Sequence, residues 1–295
     1  MNVSPIMYNG CKRRLLQKIL PMFPQNIHTF YDLFGGSGIV SMNVDAQSYF
    51  FNDINPHLLE LYNAYREYDS NTIIQHIELR IEEYGLPKVR TKESREMRDS
   101  FKPSYEKLRS FYNETHNVLD FITLCFFSFS QQFRFNGAKF NMPMGSDIFC
   151  AKNKEAIQQG CKFFSQPNIT FSNKSVFDID LSNTKTDDFI YLDPPYFNTT
   201  ATYNECNGWT LQDDNRLFDL LDELSKKGIK WCMSNVFECK GKTNEHLRKW
   251  VREKDYIVRH LDVKYSAFGK GNSNNNEVLI MNYEPIEKNK QLTLF

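Results

Sequence analysis

The chain has 295 residues, 36 basic against 36 acidic side chains, 41% hydrophobic and 24% charged, enough for one large or two modest globular domains. No apolar run approaches the roughly 20 residues that span a bilayer, and no secretory leader pattern is recognisable, so a cytoplasmic protein without membrane contact is expected. Seven scattered cysteines without a CxxC pair argue against a disulfide framework or zinc knuckle, while zero net charge excludes a uniformly basic coat but not a local basic face for phosphates.

In chain order, helical periodicity over 12–20 precedes β-rich runs at 28–33 and 48–54, and a second helical stretch covers 58–68. Between about 57 and 150 the strand signals vanish. Helical, charge-rich sequence replaces them, then a segment crowded with Phe, Ser, Gln, Arg and Asn over 121–140. Between Lys88 and Lys139 ten basic residues face six acidic ones, so the positive side of a neutral chain lies here, whether as a solvated helix face or as a phosphate-binding one. Strand-like runs then resume at 168–172, 189–192, 229–236, 256–263 and 277–283, with helices at 213–226 and 244–253 between them. Alternation of this kind predicts an α/β sheet covered by helices. The expected organisation is a sheet domain from 1–56 and 151–295, a helical subdomain inserted at 57–150, and a tail over 286–295. The stretch GKGNSNNN at 269–276 reads as a loop joining the last two strands.

Two short motifs carry chemistry. The first, Asp32-Leu33-Phe34-Gly35-Gly36-Ser37-Gly38, directly follows a strand. Its glycines permit a tight turn and a close backbone approach to a ligand. A second strand ends at Asn52-Asp53-Ile54-Asn55, where the Asp53 carboxylate could hold ribose hydroxyls. An adenosine-containing cofactor would use both, although such a loop is also what an ordinary strand-to-helix turn looks like. The spacing is not GxGxxG and leans away from a nicotinamide dinucleotide.

The second motif is Asp193-Pro194-Pro195-Tyr196, after the hydrophobic strand Phe189-Ile190-Tyr191-Leu192. The prolines end the strand and fix a rigid loop at its carboxyl edge, where open α/β sheets bind ligands. The lone pair of adenine N6 is delocalised into the ring, so the amino group is a poor nucleophile. Asp193 and the Pro194 carbonyl could accept its hydrogen bonds and favour a pyramidal nitrogen, and Tyr196 offers a stacking face. A rigid Pro-Pro turn with a capping Asp is the bland alternative.

Together with Tyr8-Asn9-Gly10-Cys11-Lys12, the segment from Phe129 to Gly145, Ser234-Asn235-Val236 and Asn276-Glu277-Val278-Leu279-Ile280, these motifs resemble the Dam family of DNA adenine-N6 methyltransferases, above all its phage-type members. Their order, glycine loop then insert then DPPY, is similar to the α group of amino-methyltransferases. The resemblance implies a doubly wound, Rossmann-like α/β fold binding S-adenosylmethionine, with an inserted helical DNA-recognition subdomain. It implies that Tyr8 packs near the cofactor, that Lys12 lies by its methionine end, and that Asp32, Phe34, Gly36, Gly38, Asp53, Ile54, Ser175, Val176 and Asp193 contribute to the same site. Asp193, Pro194, Pro195 and Tyr196 would carry catalysis on an adenine flipped out of double-stranded DNA. Asn9 and Cys11 depart from the family's first motif. Met7 stands where bacterial members have a Lys linked to the first guanine, so the resemblance points to GATC or a related site.

In the insert, Phe133-Arg134-Phe135-Asn136 and Phe140-Asn141-Met142-Pro143-Met144-Gly145 are similar to the family's DNA-reading hairpin, with Arg134, Asn136 and Pro143 as the implied DNA contacts. An Arg fork can bind guanine O6 and N7 together, for about 1 to 3 kcal/mol of discrimination. Gln291-Leu292-Thr293-Leu294-Phe295 resembles the peptide that docks bacterial proteins into the sliding clamp, through Gln291, Leu292, Leu294 and Phe295. A self-packing or unanchored tail is the alternative. A cognate restriction endonuclease is a further implied partner. The six histidines show no HExxH or paired-ligand spacing, so no metal is expected. The competing functions are an inactive DNA-binding homologue, a methyltransferase acting on RNA or on a protein amide, and a nicotinamide-dependent oxidoreductase.

Overall fold

The computed structural model describes residues 1–89, 93–196, 208–239, 241–261 and 276–285. In chain order the elements are α1 (Leu16–Ile19), β1 (Ile27–Asp32), β2 (Ala46–Asn52), α2 (Pro56–Glu67), α3 (Ser70–Tyr84), α4 (Ser94–Thr115), α5 (Val118–Phe127), β3 (Phe135–Asn136), β4 (Lys139–Phe140), α6 (Ala151–Phe164), β5 (Ile169–Ser172), β6 (Phe189–Leu192), α7 (Leu211–Lys226), β7 (Lys230–Cys239), β8 (Lys242–Thr243), α8 (Glu245–Glu253), β9 (Ile257–Leu261) and β10 (Asn276–Met281). Two compact units form: Met1–Cys11, Gly36–Met42 and Asn55–Ile169 make a helical unit, and Lys12–Gly35, Asn43–Ile54 and Thr170–Phe295 make a sheet unit.

The sheet runs in the order β5-β2-β1-β6-β7-β10-β9, with β8 paired to β7. Pairings β1/β2, β1/β6 and β6/β7 are parallel, and β10 is antiparallel to both β7 and β9. All four residues of β6 are buried, as expected of a central parallel strand covered on both faces. From β1 the chain passes outward to β2 and β5, then returns to lay β6 on the other side of β1. This reversal makes the carboxyl ends of β1 and β6 a topological switch point, the ligand-binding edge of doubly wound sheets.

Beneath one face, Leu217, Phe218, Leu221 and Leu224 of α7 join Trp231, Met233, Ile280 and Trp250 in a buried cluster. The apolar spacing of α7 puts that stripe on one side. Its start is set by a reciprocal cap in which Thr210 and Asp213 satisfy each other's backbone N–H groups, the pattern that closes a helix N-terminus.

Among the strand expectations, the seven runs correspond to β1, β2, β5, β6, β7, β9 and β10. The helix expected over 12–20 is instead a 3-10 turn at Lys12–Arg14, the short α1 and another 3-10 turn at Leu20–Met22. Pro21 lacks the N–H a continuing helix needs, and Lys12 is drawn into an ion pair described below. The loop at 269–275 lies outside the described residues.

In the helical unit, α5 is nearly all buried, from Leu119 through Phe127 except Cys125, and packs on α2, α3 and α4. Helix α3 begins on Asp69, whose Oδ1 accepts from Asn71 N at 2.9 Å and Thr72 N at 3.0 Å, and buries Ile73, Ile74, Ile77 and Ile81. Asp120 of α5 is fully buried yet accepts Arg80 Nε at 2.7 Å, with His76 Nε2 also at 2.7 Å. A buried carboxylate needs such partners. Helix α6 packs on α2 and α3 and so belongs to this unit.

Candidate active site and nucleic-acid interface

In the sheet unit the DPPY loop leaves β6 at the switch point. Lys12 Nζ lies 2.6 Å from Asp193 Oδ2, with Lys12 only 6% and Asp193 18% exposed. The Tyr196 hydroxyl donates to Asp193 Oδ1 at 3.0 Å, and the ammonium sits 5.3 Å from the centre of the Tyr196 ring. Burial alone would lower the Lys12 pKa, but Asp193 and Tyr196 outweigh it and hold it well above the ordinary lysine value. Burial, reinforced by the charge of Asp193, pushes the Tyr196 phenol well above its usual value. The result is a charged amine and a neutral phenol, both donating to one carboxylate. Two of its roughly four lone-pair positions are taken, leaving acceptor capacity.

Asp32 is buried at the end of β1. The following turn is pinned by Asn52, whose Nδ2 donates to Leu33 O at 3.0 Å and Lys174 O at 3.1 Å, while its Oδ1 accepts from Lys174 N at 3.1 Å. One amide thus ties the exits of β1 and β5 together. Gly35 N donates to Asn52 O at 2.8 Å. Asp53 is fixed through its backbone, N–H to Ser172 O at 3.3 Å and carbonyl from Asn173 Nδ2 at 2.7 Å. Ile54, beside it, is 51% exposed. Ser175 caps a 3-10 turn through Phe177 N at 3.4 Å, and Val176 is buried. Phe34 meets the Trp209 ring edge-on at 5.8 Å, and Trp209 stacks on Phe177 at 5.9 Å.

Tyr8, Gly36 and Gly38 belong to the helical unit. Gly36 and Gly38 have φ of +52° and +74°, the left-handed region where a side chain is disfavoured. The Tyr62 hydroxyl donates to Gly36 O. Tyr8 accepts from Asn55 Nδ2 at 3.3 Å and lies 5.7 Å from Phe133.

The β3–β4 hairpin is anchored from behind. Phe140 exchanges two hydrogen bonds with the Asn113 side chain, at 2.8 and 3.1 Å, and Tyr105 OH donates to Met142 O at 3.0 Å. The Phe135 ring stacks on His57, centroids 3.4 Å apart. Arg134, Asn136 and Pro143 are all exposed. The Met142–Gly145 stretch pairs with the end of α5 through Phe129 N to Pro143 O and Gly145 N to Phe127 O, both 2.8 Å. A Cβ on Gly145 would collide with the Ser128 carbonyl, so only glycine permits this approach. Just beyond, Phe129 is 48% exposed on a loop where Ser130 and Gln131 hold φ of +56° and +54°. Consecutive non-glycine residues in that region store strain.

The structure therefore brings Lys12, Asp193 and Tyr196 into contact and lines Asp32, Phe34 and Asp53 along the same strand edge. Gln291, Leu292, Leu294 and Phe295 lie outside the described residues. Sequence reasoning gave no individual role to Asn52, Phe129 or Asn141, which it read only within longer motifs, and did not single out Tyr62 or Trp209. A polar residue ending an apolar strand was the available signal for Asn52; the others depend on long-range packing. Among the described residues no group of three or more His, Cys, Asp or Glu could hold a metal ion, and no helix is long and apolar enough to cross a membrane.

This arrangement of sheet, glycine turn and DPPY loop defines a Rossmann-like methyltransferase fold. The profile of the D12 class N6 adenine-specific DNA methyltransferases matches residues 8–265, and the chain belongs to that family. It is 36% identical over 290 residues to modification methylase StsI of Streptococcus sanguinis and 35% identical over 289 residues to type II methyltransferase M.FokI of Planomicrobium okeanokoites; each alignment covers 95% of this chain but 43% of the relative. The chain thus spans less than half the length of these two relatives. A DNA adenine methylase of Vibrio cholerae is 27% identical over 286 residues, 92% of this chain and 93% of that protein.

Proposed function

We propose that this protein transfers a methyl group from S-adenosylmethionine to N6 of an adenine in duplex DNA. The observation that carries the reading is the Asp193 carboxylate, oriented by Lys12 and Tyr196 on the loop leaving β6 at the switch point. The donor set suits an adenosylated sulfonium: a ribose-binding carboxylate in Asp53, an exposed apolar face in Ile54, and aromatic rings at Phe34 and Trp209. Bound there, the cofactor would supply an electrophilic methyl group.

Asp193 and the Pro194 carbonyl accept the two N6–H bonds, which turns the nitrogen lone pair out of conjugation. Lys12 and Tyr196 hold the carboxylate in one orientation, so the gain is one of positioning. A stacked, paired adenine cannot reach this site, so the base is extruded from the helix. In the helical unit, Arg134, Asn136 and Pro143 on the anchored hairpin are the reading surface. The exposed Phe129 beside them is an apolar wedge that fills the gap left in the base stack.

The recognition sequence is GATC or a related site, and a restriction endonuclease acting on the same site is the partner to seek. The QLTLF segment is proposed as a sliding-clamp peptide; clamp pull-down unchanged on deleting residues 291–295 would remove that assignment. The main test follows labelled methyl into matched duplexes, with GATC intact or scrambled, and identifies the product base by mass spectrometry. N6-methyladenine formed by the native chain and not by Asp193→Ala, with its fold intact, is the expected result. No N6-methyladenine in either duplex, with cofactor binding retained, would overturn the enzyme reading in favour of a DNA-binding homologue.

A further inference from the structure

The Arg134 guanidinium is not a loose exposed fork. Its Nε–H donates to Asn141 Oδ1 at 2.8 Å, and one Nη2–H donates to the Asn141 carbonyl at 3.2 Å. The backbone closes the same pair, with Asn141 N donating to Arg134 O at 2.9 Å. Arg134 immediately precedes β3 and Asn141 immediately follows β4, so the hairpin brings two residues seven positions apart into one hydrogen-bonded ring. Guanidinium has two edges able to make parallel hydrogen bonds, the side edge (Nε and one Nη) and the end edge (both Nη). Here Asn141 occupies the side edge.

We propose that Asn141 is a specificity-determining positioning residue, holding Arg134 so that only its end edge, Nη1–H with the remaining Nη2–H, is presented to O6 and N7 of a guanine in the recognition site. This rests on Arg134 being a base reader. The physical reason is pre-organisation. A free arginine loses much rotamer freedom on binding and can present either edge or swing to a phosphate. An arginine already held along one edge can offer guanine its two-bond match and offers adenine, which carries a donor at the O6 position, an unfavourable one. Asn141 is itself set by the β3–β4 hairpin, which α4 pins through Asn113 and Tyr105, so the constraint on Arg134 reaches back into the core of the helical unit.

A bidentate guanine contact discriminates about 5- to 150-fold, from its usual energy. The test maps methylated adenines on plasmid DNA after treatment with the native chain, Arg134→Ala, Asn141→Ala and Asn141→Asp, with thermal unfolding as a fold control. The native chain should show a guanine preference at a fixed distance from the methylated adenine, and Arg134→Ala should lose it. Asn141→Ala should lose at least about fivefold of the preference at that same position and no other. Asn141→Asp retains an acceptor for Nε and should keep it. Replacing that guanine by 7-deazaguanine should slow the native chain and Asn141→Asp but leave Asn141→Ala nearly unchanged.

Uniformly weaker methylation by Asn141→Ala with the sequence preference intact would overturn the inference and make Asn141 a phosphate contact or a structural residue. If Arg134→Ala itself keeps the native preference, the base-reader reading fails separately and takes this inference with it.

Discussion

Replacing Lys12 with Met removes the cation beside Asp193 while keeping most of the buried stem. At 2.6 Å the gross attraction is about 6 kcal/mol in an effective dielectric of about 20, but desolvation of both groups cancels much of it. What the single variant exposes is the cost of a half-buried carboxylate left with the Tyr196 hydroxyl alone. Breaking such a pair from one side costs about 3 to 5 kcal/mol. Asp193 is partly open to water, so the lower end, about 3 kcal/mol, is expected. For a body of 150–250 residues that is a fall of roughly 6–12 °C in Tm. Differential scanning calorimetry of the native chain, Lys12→Met, Asp193→Asn and the double variant measures the coupling. The double variant should recover most of the loss, since no unpaired charge remains. Because the Lys12 pKa is raised, its contribution is complete below the unfolded lysine value, about 10.4, and disappears only as pH rises through the higher folded value. The Tm difference between native chain and Lys12→Met should therefore be flat from pH 6.5 to 9. A Lys12→Met variant melting within 2 °C of the native chain, or a double variant no more stable than the single, would refute the reasoning.

Two further outcomes bear on the helical unit. Burial works to raise the Asp120 pKa, but bonds from His76 and Arg80 prevail and hold it below the ordinary carboxylate value. Its stabilisation is therefore present above the unfolded value, about 3.9, and is lost as pH falls through the folded one. Asp120→Asn should cost about 3 kcal/mol at pH 7, a deficit that narrows in melts carried out below about pH 4; a deficit independent of pH would contradict the assignment. Phe129→Ala removes an exposed ring, so unfolding should barely change. Methyl transfer to a fully paired duplex should fall about tenfold or more, on the scale of a lost stacking contact, with less loss when the target adenine faces an abasic site. Equal losses on both duplexes would argue against a wedge.

Much of the sheet was legible in the chain. Runs such as Phe189-Ile190-Tyr191-Leu192, buried at every position, have no polar face and announce a central parallel strand. The glycine turn and DPPY are contiguous motifs whose backbone requirements are local, so the order of neighbouring residues marks them as turns. Other features were hidden because they depend on pairs far apart in sequence. The antiparallel insertion of β10 between β7 and β9 leaves no trace in strand composition. The helix expected over 12–20 is broken in the structure; periodicity does not register the pull of a partner at Asp193.

Residue types and spacing by themselves determined which segments become strands, where the backbone must turn, and which side chains have the chemistry to act on an amino group. Tertiary structure alone decided their electrostatic state. Lys12 is an ordinary basic residue until folding buries it 2.6 Å from Asp193, and Arg134 an ordinary exposed one until the hairpin sets Asn141 against its side edge. Propensity acts over a few bonds and is written in neighbouring residues. Desolvation and hydrogen-bond geometry depend on distances that come into existence only when remote segments meet.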